Sequence, residues 1–268
     1  MVQKHCRSWL IGALLMMISI NIPSHKRPEV ETLRFYPHCK VWVNDDEIDE
    51  YKKHNPDAEI VGLAEDSHKN ISIIRNHILK AEFESGADVV CMLDDDLKGI
   101  YRFCKAQNSN FGYEKKLVEN FPEFVEKYSI MAQDMGAFLW GVNLNKDNRS
   151  YRHCQPFNTN AIILGPFSCH LKGGDIFYDP AIPLKEDYDI ALQHLSRHRK
   201  ILRLNMYHYD CKQSTNTGGC AQYRNYATEK RNFELLRRKW GSDIVREDKS
   251  SKKGYDYNPI IKVPIRGV

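Results

Sequence analysis

The sequence has 268 residues, of which 42% are hydrophobic and 28% charged, so it can bury the core of one large domain or two small ones. Its formal net charge of +4 is too small to indicate nucleic-acid binding by itself. Its eight cysteines form no C-x-x-C pair, which excludes zinc-ribbon and thioredoxin-like sites and favours reduced thiols in a cytoplasmic protein. A few disulfides in a secreted protein are the alternative.

An apolar run close to the N-terminus allows two interpretations. The run from Trp9 to Ile22 follows a basic start, as in a signal peptide or a short membrane anchor. Its 14 residues are short for a membrane span, which needs about 20, and no small-residue cleavage site follows. We therefore expect a buried strand over residues 16–23, no stable membrane association and a cytoplasmic protein. A secretory-pathway enzyme with an N-terminal anchor is the alternative.

Strand and helix patterns alternate through the first hundred residues. The apolar segments predict strands at 16–23, 40–44, 58–63 and 88–93, and the segments between them predict helices at 45–55 and 72–87. Short, uniformly apolar strands joined by helices are typical of a mainly parallel sheet with both faces covered. The sequence thus predicts an α/β fold, which binds ligands at the carboxyl ends of its strands.

After residue 100 the pattern becomes mixed and more typical of antiparallel pairing. We expect helices at 121–136, 183–198 and 228–245, and strands at 138–144, 158–166 and 201–210. The last of these helices is rich in lysine and arginine, which either form a solvated face or contact an anionic partner. The final 15 residues are expected to form an extended tail.

Three carboxylates, Asp94 to Asp96, end the fourth predicted strand. Adjacent carboxylates repel one another unless a cation lies beside them, and Mg²⁺ and Mn²⁺ prefer such oxygen ligands. Residues two apart on an extended turn point the same way, so Asp94 and Asp96 could share one ion while Asp95 faces a sugar or ribose. A solvated acidic turn is the alternative.

This layout resembles a GT-A glycosyltransferase, in which a mainly parallel nucleotide-binding sheet ends in an Asp-x-Asp motif and merges with a mixed acceptor-side sheet. Other segments match that family in order over residues 16–210. The loop that lies against the nucleotide base in that family is similar to ISINIPSHKRP, and a helix that touches the nucleotide is similar to IIRNHIL. The later Glu-Asp motif is similar to LKEDYDIAL, and the segment that supplies a third metal ligand is similar to NMYHYD. The residues implied by these segments are Pro23, Ser24, Arg27, Arg75, Glu186, Asp187 and His208.

The resemblance implies a single domain with two halves. Residues 1–100 would form the nucleotide-sugar-binding half, residues 101–227 the acceptor half, and residues 228–268 a basic helix and tail. A metal ion, Mn²⁺ or Mg²⁺, held by Asp94, Asp96 and His208 would neutralise charge on the diphosphate leaving group. For His208 a packed strand histidine is the alternative, and for Arg75 an exposed helix arginine.

Two further groups of residues receive roles beside the resemblance. Lys212 and Arg224 would contact the phosphates, next to a loop in which Gly218 and Gly219 let backbone amides approach closely; an ordinary flexible turn is the alternative. The attacking acceptor hydroxyl must lose a proton, and Asp187 is the expected general base, with Glu186 beside it. Alternatively both acids only stabilise the start of their helix, and a retaining reaction needs no such base.

The C-terminal third resembles the TET-associated glycosyltransferase group through HYDCKQSTNTGGC, Arg224 and RNFELLRRKWGSDIV. Phage members of that group are implied to glycosylate hydroxymethylated pyrimidines in DNA. The resemblance therefore implies a nucleotide-sugar donor, with a UDP-sugar favoured, and a double-stranded DNA acceptor. It implies a cytoplasmic protein, in the host cytoplasm if it is encoded by a phage. The alternatives are a glycosyltransferase acting on protein or glycan acceptors and a non-catalytic nucleic-acid-binding module.

Overall fold

The computed structural model describes residues 16–64, 70–106, 112–211, 224–248 and 257–263. Its helices are α1 (Ile48–His54), α2 (Ile71–Glu84), α3 (Phe121–Asp134), α4 (Glu186–His198) and α5 (Tyr226–Trp240), with 3-10 turns at Glu31–Arg34 and Asp45–Glu47. Its strands are β1 (Ile18–Pro23), β2 (Lys40–Asn44), β3 (Glu59–Leu63), β4 (Val89–Leu93), β5 (Leu97–Lys105), β6 (Tyr113–Leu117), β7 (Leu139–Asn143), β8 (Phe157–Asn158), β9 (Phe167–Leu171), β10 (Leu202–Cys211), β11 (Val245–Glu247) and β12 (Pro259–Ile261).

The first part of the chain forms the parallel sheet that its apolar segments predict. β3, β2, β1 and β4 lie side by side in that order, and each neighbouring pair is parallel. β4 is buried along its whole length. α2 covers this half of the sheet: the Asn70 side chain caps its first turn by accepting the N–H of Ile73, and Ile78 and Leu79 pack into the core. The α/β class is therefore confirmed.

The sheet continues with mixed pairing through β9, β7, β10, β5 and β6, while β8 pairs with β10. β9 is antiparallel to both of its neighbours, and β10 is parallel to β7 but antiparallel to β5. The predicted strand at 158–166 is wrong. Only Phe157–Asn158 pairs with β10, and the residues that follow form a loop because Ile163 packs between β7 and α4 instead of extending the sheet.

The C-terminal part packs against the outside of α4. α5 is the basic helix predicted from the sequence, and its Phe233 and Leu236 share a buried cluster with Leu192 of α4. β11 and β12 pair with each other in a separate two-stranded sheet, so part of the predicted tail is ordered strand. The described cysteines are free thiols. Within the described ranges, no helix combines the length and the apolar character that crossing a membrane requires.

One connection controls the shape of the sheet. β4 and β5 are four positions apart in the strand order, yet only Asp94–Asp96, the acidic turn, separates them in sequence. Four positions in a flat sheet would span about 19 Å. The chain from Leu93 to Leu97 can reach at most about 14 Å. The sheet must therefore curl until the start of β5 returns to the end of β4, and the acidic turn lies where the two halves meet.

Candidate active site

A buried threonine fixes the backbone of the acidic turn. The Thr32 hydroxyl donates to the carbonyl oxygen of Asp94 over 2.6 Å and accepts the N–H of Leu97 over 2.9 Å. The Thr32 N–H also donates to the carbonyl oxygen of Asp95, at 3.2 Å. Because Thr32 holds both ends of the turn, the three carboxylates of the turn keep fixed directions. Sequence reasoning did not single out Thr32.

Asp95 points towards the loop that follows β1. Its Oδ2 accepts the Ser24 hydroxyl at 2.6 Å, and its Oδ1 accepts the guanidinium of Arg27 at 2.8 Å. The Tyr51 hydroxyl, another residue not predicted, lies 2.8 Å from Ser24 Oγ and accepts the Arg27 N–H at 3.0 Å. Pro23 ends β1 immediately before this loop. Both carboxylate oxygens of Asp95 are thus engaged within the protein rather than directed at an open sugar or ribose position.

Arg75 joins the two acidic motifs. Its side chain is 4% exposed on the inner face of α2, so the alternative of an exposed helix arginine does not apply. Nη2 donates to Asp94 Oδ1 at 3.1 Å, and Nη1 donates to Glu186 Oε1 at 3.2 Å. One guanidinium therefore connects the strand end that carries Asp94 to the helix start that carries Glu186.

The guanidinium of Arg75 lies in a close-fitting enclosure. A Cβ atom added at Gly165 would lie 3.1 Å from Nη2 and 3.2 Å from Nη1. The Tyr178 ring centroid lies 5.6 Å from the guanidinium carbon. The Asn76 amide holds the backbone N–H and carbonyl of Tyr178 at 2.7 and 2.8 Å. Asn76, which the sequence grouped with Arg75 on a nucleotide-contacting helix, thus holds the wall of the enclosure.

Glu186 and Asp187 lie in the first turn of α4, where the helix dipole favours negative charge. Burial raises the pKa of Glu186, the negative charge of Asp187 raises it further, and Arg75 opposes the increase. Asp187 is less buried, and its two oxygens accept the N–H groups of Gly165 at 3.2 Å and Tyr188 at 2.8 Å. Asp187 is the more accessible of the two carboxylates.

Asp94 and Asp96 are the carboxylates of the acidic turn that the sequence predicts to bind a metal ion. Burial raises the pKa of Asp94, although Arg75 opposes the increase. Among the described residues, no group of three or more His, Cys, Asp and Glu side chains is arranged to hold a metal. Two carboxylates still suit Mg²⁺ or Mn²⁺, which is often bound by one or two carboxylates and completes its shell with water and substrate phosphates.

His208 is not brought to the acidic turn. It pairs with Tyr101, well inside β5, and its ring stacks on Tyr101 at 5.5 Å and contacts Phe103 at 4.7 Å between centroids. Burial lowers the pKa of His208 to about 4, so the ring is neutral at physiological pH. The structure thus agrees with a packed strand histidine and does not assemble the predicted trio of His208 with Asp94 and Asp96.

The predicted phosphate-contacting segment falls mostly outside the described residues, which exclude Lys212, Gly218 and Gly219. Arg224 is described, and its Nε donates to the buried Glu229 at 3.0 Å. Glu229 also pairs, at 2.6 Å, with Lys185, the residue immediately before α4. Arg224 therefore belongs to an ion-pair group that anchors α5 to the start of α4, next to Glu186.

Comparisons with known proteins concern the family and the fold. Residues 18–219 match the family described as TET-associated glycosyltransferase. None of the curated proteins matches the sequence.

Solved structures of glucosyl-3-phosphoglycerate synthase from Mycobacterium tuberculosis share the fold. The complex with Mn²⁺, UDP-glucose and phosphoglyceric acid has a TM-score of 0.50 at 13% identity, covering 97% of this chain and 94% of that chain. The complex with Mg²⁺ and UDP also has a TM-score of 0.50, at 14% identity, covering 97% of this chain and 93% of that chain. At such identities the similarity concerns the fold.

Proposed function

Because the chain belongs to the TET-associated glycosyltransferase family, it is a nucleotide-sugar-dependent glycosyltransferase, and we propose that it uses a divalent metal to glycosylate hydroxymethylated pyrimidines in double-stranded DNA. The proposed donor is a UDP-sugar. Two structures that share the fold contain UDP-glucose with Mn²⁺ and UDP with Mg²⁺, respectively.

The observation that carries the proposal is the Arg75 bridge. It holds Asp94, at the end of a buried parallel strand, beside Glu186 and Asp187, at the start of α4. Ligands bind at the carboxyl ends of such strands, so the donor would meet these carboxylates there. A buried cation shared between the buried Glu186 and the half-buried Asp94 is a costly arrangement for stability alone, which favours a catalytic purpose.

The donor would bind across the acidic turn. Asp94 and Asp96 are the proposed metal ligands, and a metal held there supplies charge neutralisation for the departing nucleoside diphosphate. The loop from Pro23 to Arg27 would lie against the nucleotide base, with its shape set by Asp95. Lys212 and the loop with Gly218 and Gly219 remain the proposed phosphate contacts.

Asp187 is the proposed general base. It would take the proton of the acceptor hydroxyl while that oxygen forms a bond to the anomeric carbon and the bond to the diphosphate breaks. Backbone N–H groups orient both of its oxygens, and it is less buried than Glu186. Glu186 would position Arg75 and keep the local charge balanced.

The DNA acceptor is proposed from the family and from the surface of α5. Lys230, Arg231 and Arg238 are exposed on this helix, which packs against the start of α4. Cations on a helix beside the site would contact DNA phosphates and make binding depend on salt.

The first experiment measures donor binding. Purified protein with Mn²⁺ is titrated with UDP-, GDP- and TDP-sugars, and turnover is then followed with a duplex containing hydroxymethylcytosine. We expect metal-dependent binding of one nucleotide family and sugar transfer that EDTA abolishes. Full activity in EDTA would refute the metal requirement, and binding of no nucleotide sugar would refute the donor assignment.

The second experiment tests the acceptor. Alanine replacement of Lys230 and Arg231 should weaken binding to the hydroxymethylated duplex and reduce its salt dependence, without changing donor affinity. A variant with alanine at Lys127, a lysine of α3 on a different helix, serves as the control. Transfer of the sugar to protein or glycan hydroxyls, with no transfer to DNA, would refute the DNA acceptor.

A further inference from the structure

The Tyr209 hydroxyl is a polar group of the site to which no role has been assigned. Tyr209 lies near the end of β10, where Cys211 pairs with Leu97, the residue that directly follows the acidic turn. Its ring is 2% exposed and packs within the central hydrophobic cluster. Tyr209 itself pairs with Ile100, so the strand carries a buried phenol close to the edge of the sheet where the carboxylates lie.

The hydroxyl is buried without a hydrogen-bond partner in the described part of the chain. Other buried tyrosines of the sheet and its helices are paired: Tyr207 contacts the Tyr128 hydroxyl at 2.9 Å, and Tyr178 contacts His170 at 3.0 Å. Leaving a hydroxyl unpaired inside a protein destabilises the folded state. Such a cost at a site edge points to a partner that arrives from outside the protein.

The surroundings of the hydroxyl restrict what that partner can be. Burial raises the pKa of Tyr209, and after the Cys211 thiol the charges of Asp187 and Asp94 add to the increase. The phenol stays protonated and can donate. A sugar hydroxyl both donates and accepts hydrogen bonds, so it matches a protonated phenol that has no partner within the described chain.

We propose that the Tyr209 hydroxyl binds a hydroxyl of the transferred sugar and thereby distinguishes a nucleotide sugar from the bare nucleoside diphosphate. This inference rests on the proposed function. Loss of this hydroxyl lowers the affinity for the sugar part of the donor and leaves the affinity for the nucleotide part unchanged. Tyr209 in this role touches substrate and determines donor specificity, while Asp187 acts on the acceptor.

The test uses Tyr209→Phe, which removes only the oxygen. With Mn²⁺ present and acceptor absent, calorimetric titration measures affinity for the nucleotide sugar that the wild type binds best and for the matching nucleoside diphosphate. We expect about a three- to tenfold loss of nucleotide-sugar affinity and unchanged diphosphate affinity. We also expect Tyr209→Phe to unfold at an equal or higher temperature than the wild type, since the variant no longer buries an unpaired hydroxyl.

Tyr207→Phe is the matched control. It removes a paired hydroxyl two residues away, so its melting temperature should fall while its preference for the nucleotide sugar stays at the wild-type value. Equal loss of sugar and diphosphate affinity in Tyr209→Phe, or no loss of either, overturns the inference. Loss of acceptor affinity alone would assign the hydroxyl to the acceptor and also overturn it. If the wild type binds no nucleotide sugar at all, the proposed donor fails first and the inference falls with it.

Discussion

Replacing Arg75 with methionine removes the cation between the two acidic motifs while keeping an apolar side chain of similar length. The buried Glu186, whose side chain is 11% exposed, then loses the partner at 3.2 Å that opposes its raised pKa. Removing one partner of a buried ion pair costs about 3–5 kcal/mol. The pair with Asp94 adds less, because a third of that side chain is exposed to solvent.

The penalty at Glu186 has an upper limit that depends on pH, because the carboxyl can take up a proton instead. Protonation costs the variant about 1.4 kcal/mol for each pH unit above the folded-state pKa of Glu186, which burial, as the main cause, raises to about 8. The limit is therefore close to zero at pH 7, where the carboxyl is already mostly protonated, and about 1.4 kcal/mol at pH 9. The folded-state pKa of Glu186 is raised above its unfolded value, so stability from this group falls as pH rises past the unfolded pKa. Loss of Arg75 enlarges that fall.

We therefore expect the loss of unfolding free energy in Arg75→Met to be about 1.4 kcal/mol larger at pH 9 than at pH 7. Urea denaturation at both pH values measures this. Adding Glu186→Gln to the variant should remove this extra loss at pH 9 without recovering activity. As a control, Arg149→Met removes an exposed ion pair with Asp147 and should leave stability unchanged at both pH values. Equal losses at pH 7 and pH 9 in Arg75→Met, or the same extra loss at pH 9 in the double variant, would refute the reasoning.

Other variants test the remaining parts of the site. Asp187→Asn should lower kcat about 100-fold or more with donor affinity unchanged by titration, because only the base is lost; an unaffected kcat would remove Asp187 from that role. Gly165→Ala places a Cβ 3.1 Å from Arg75 Nη2, so it should lower the free energy of unfolding by about 1–3 kcal/mol and also lower activity. Unchanged stability in urea denaturation would show that Arg75 can shift to make room for the methyl group. Thr32→Val keeps its shape but loses both hydroxyl contacts to the acidic turn, so stability should fall by about 1–3 kcal/mol and Mn²⁺-dependent donor binding should weaken; unchanged donor binding would contradict the positioning role.

Local patterns predicted the parallel half of the fold because its strands are short and apolar and the segments between them have the polar or amphipathic pattern of helices. β2 and β4 illustrate this. The missed strands lack that signal. β6 is a charged, exposed edge strand, and β9 contains Ser168 and His170 although every one of its residues is buried. Their pairing partners, and not their composition, make them strands.

The acidic motifs of the site were recognisable because each lies at the end of a predicted element. The partners of Arg75 were not, since Asp94 and Glu186 meet only after the sheet has formed. Thr32, Tyr51 and Tyr209 act through single hydroxyl groups, which leave no periodic pattern in a sequence. Their roles depend on directions that only the folded chain defines.

The short connection between β4 and β5 also has a mechanical consequence. The nucleotide-side strands and the β5–β6 ribbon are joined directly through Asp94–Asp96, with no slack beyond three residues. A displacement that separates the end of β4 from the start of β5 would therefore move the carboxylates that lie between them.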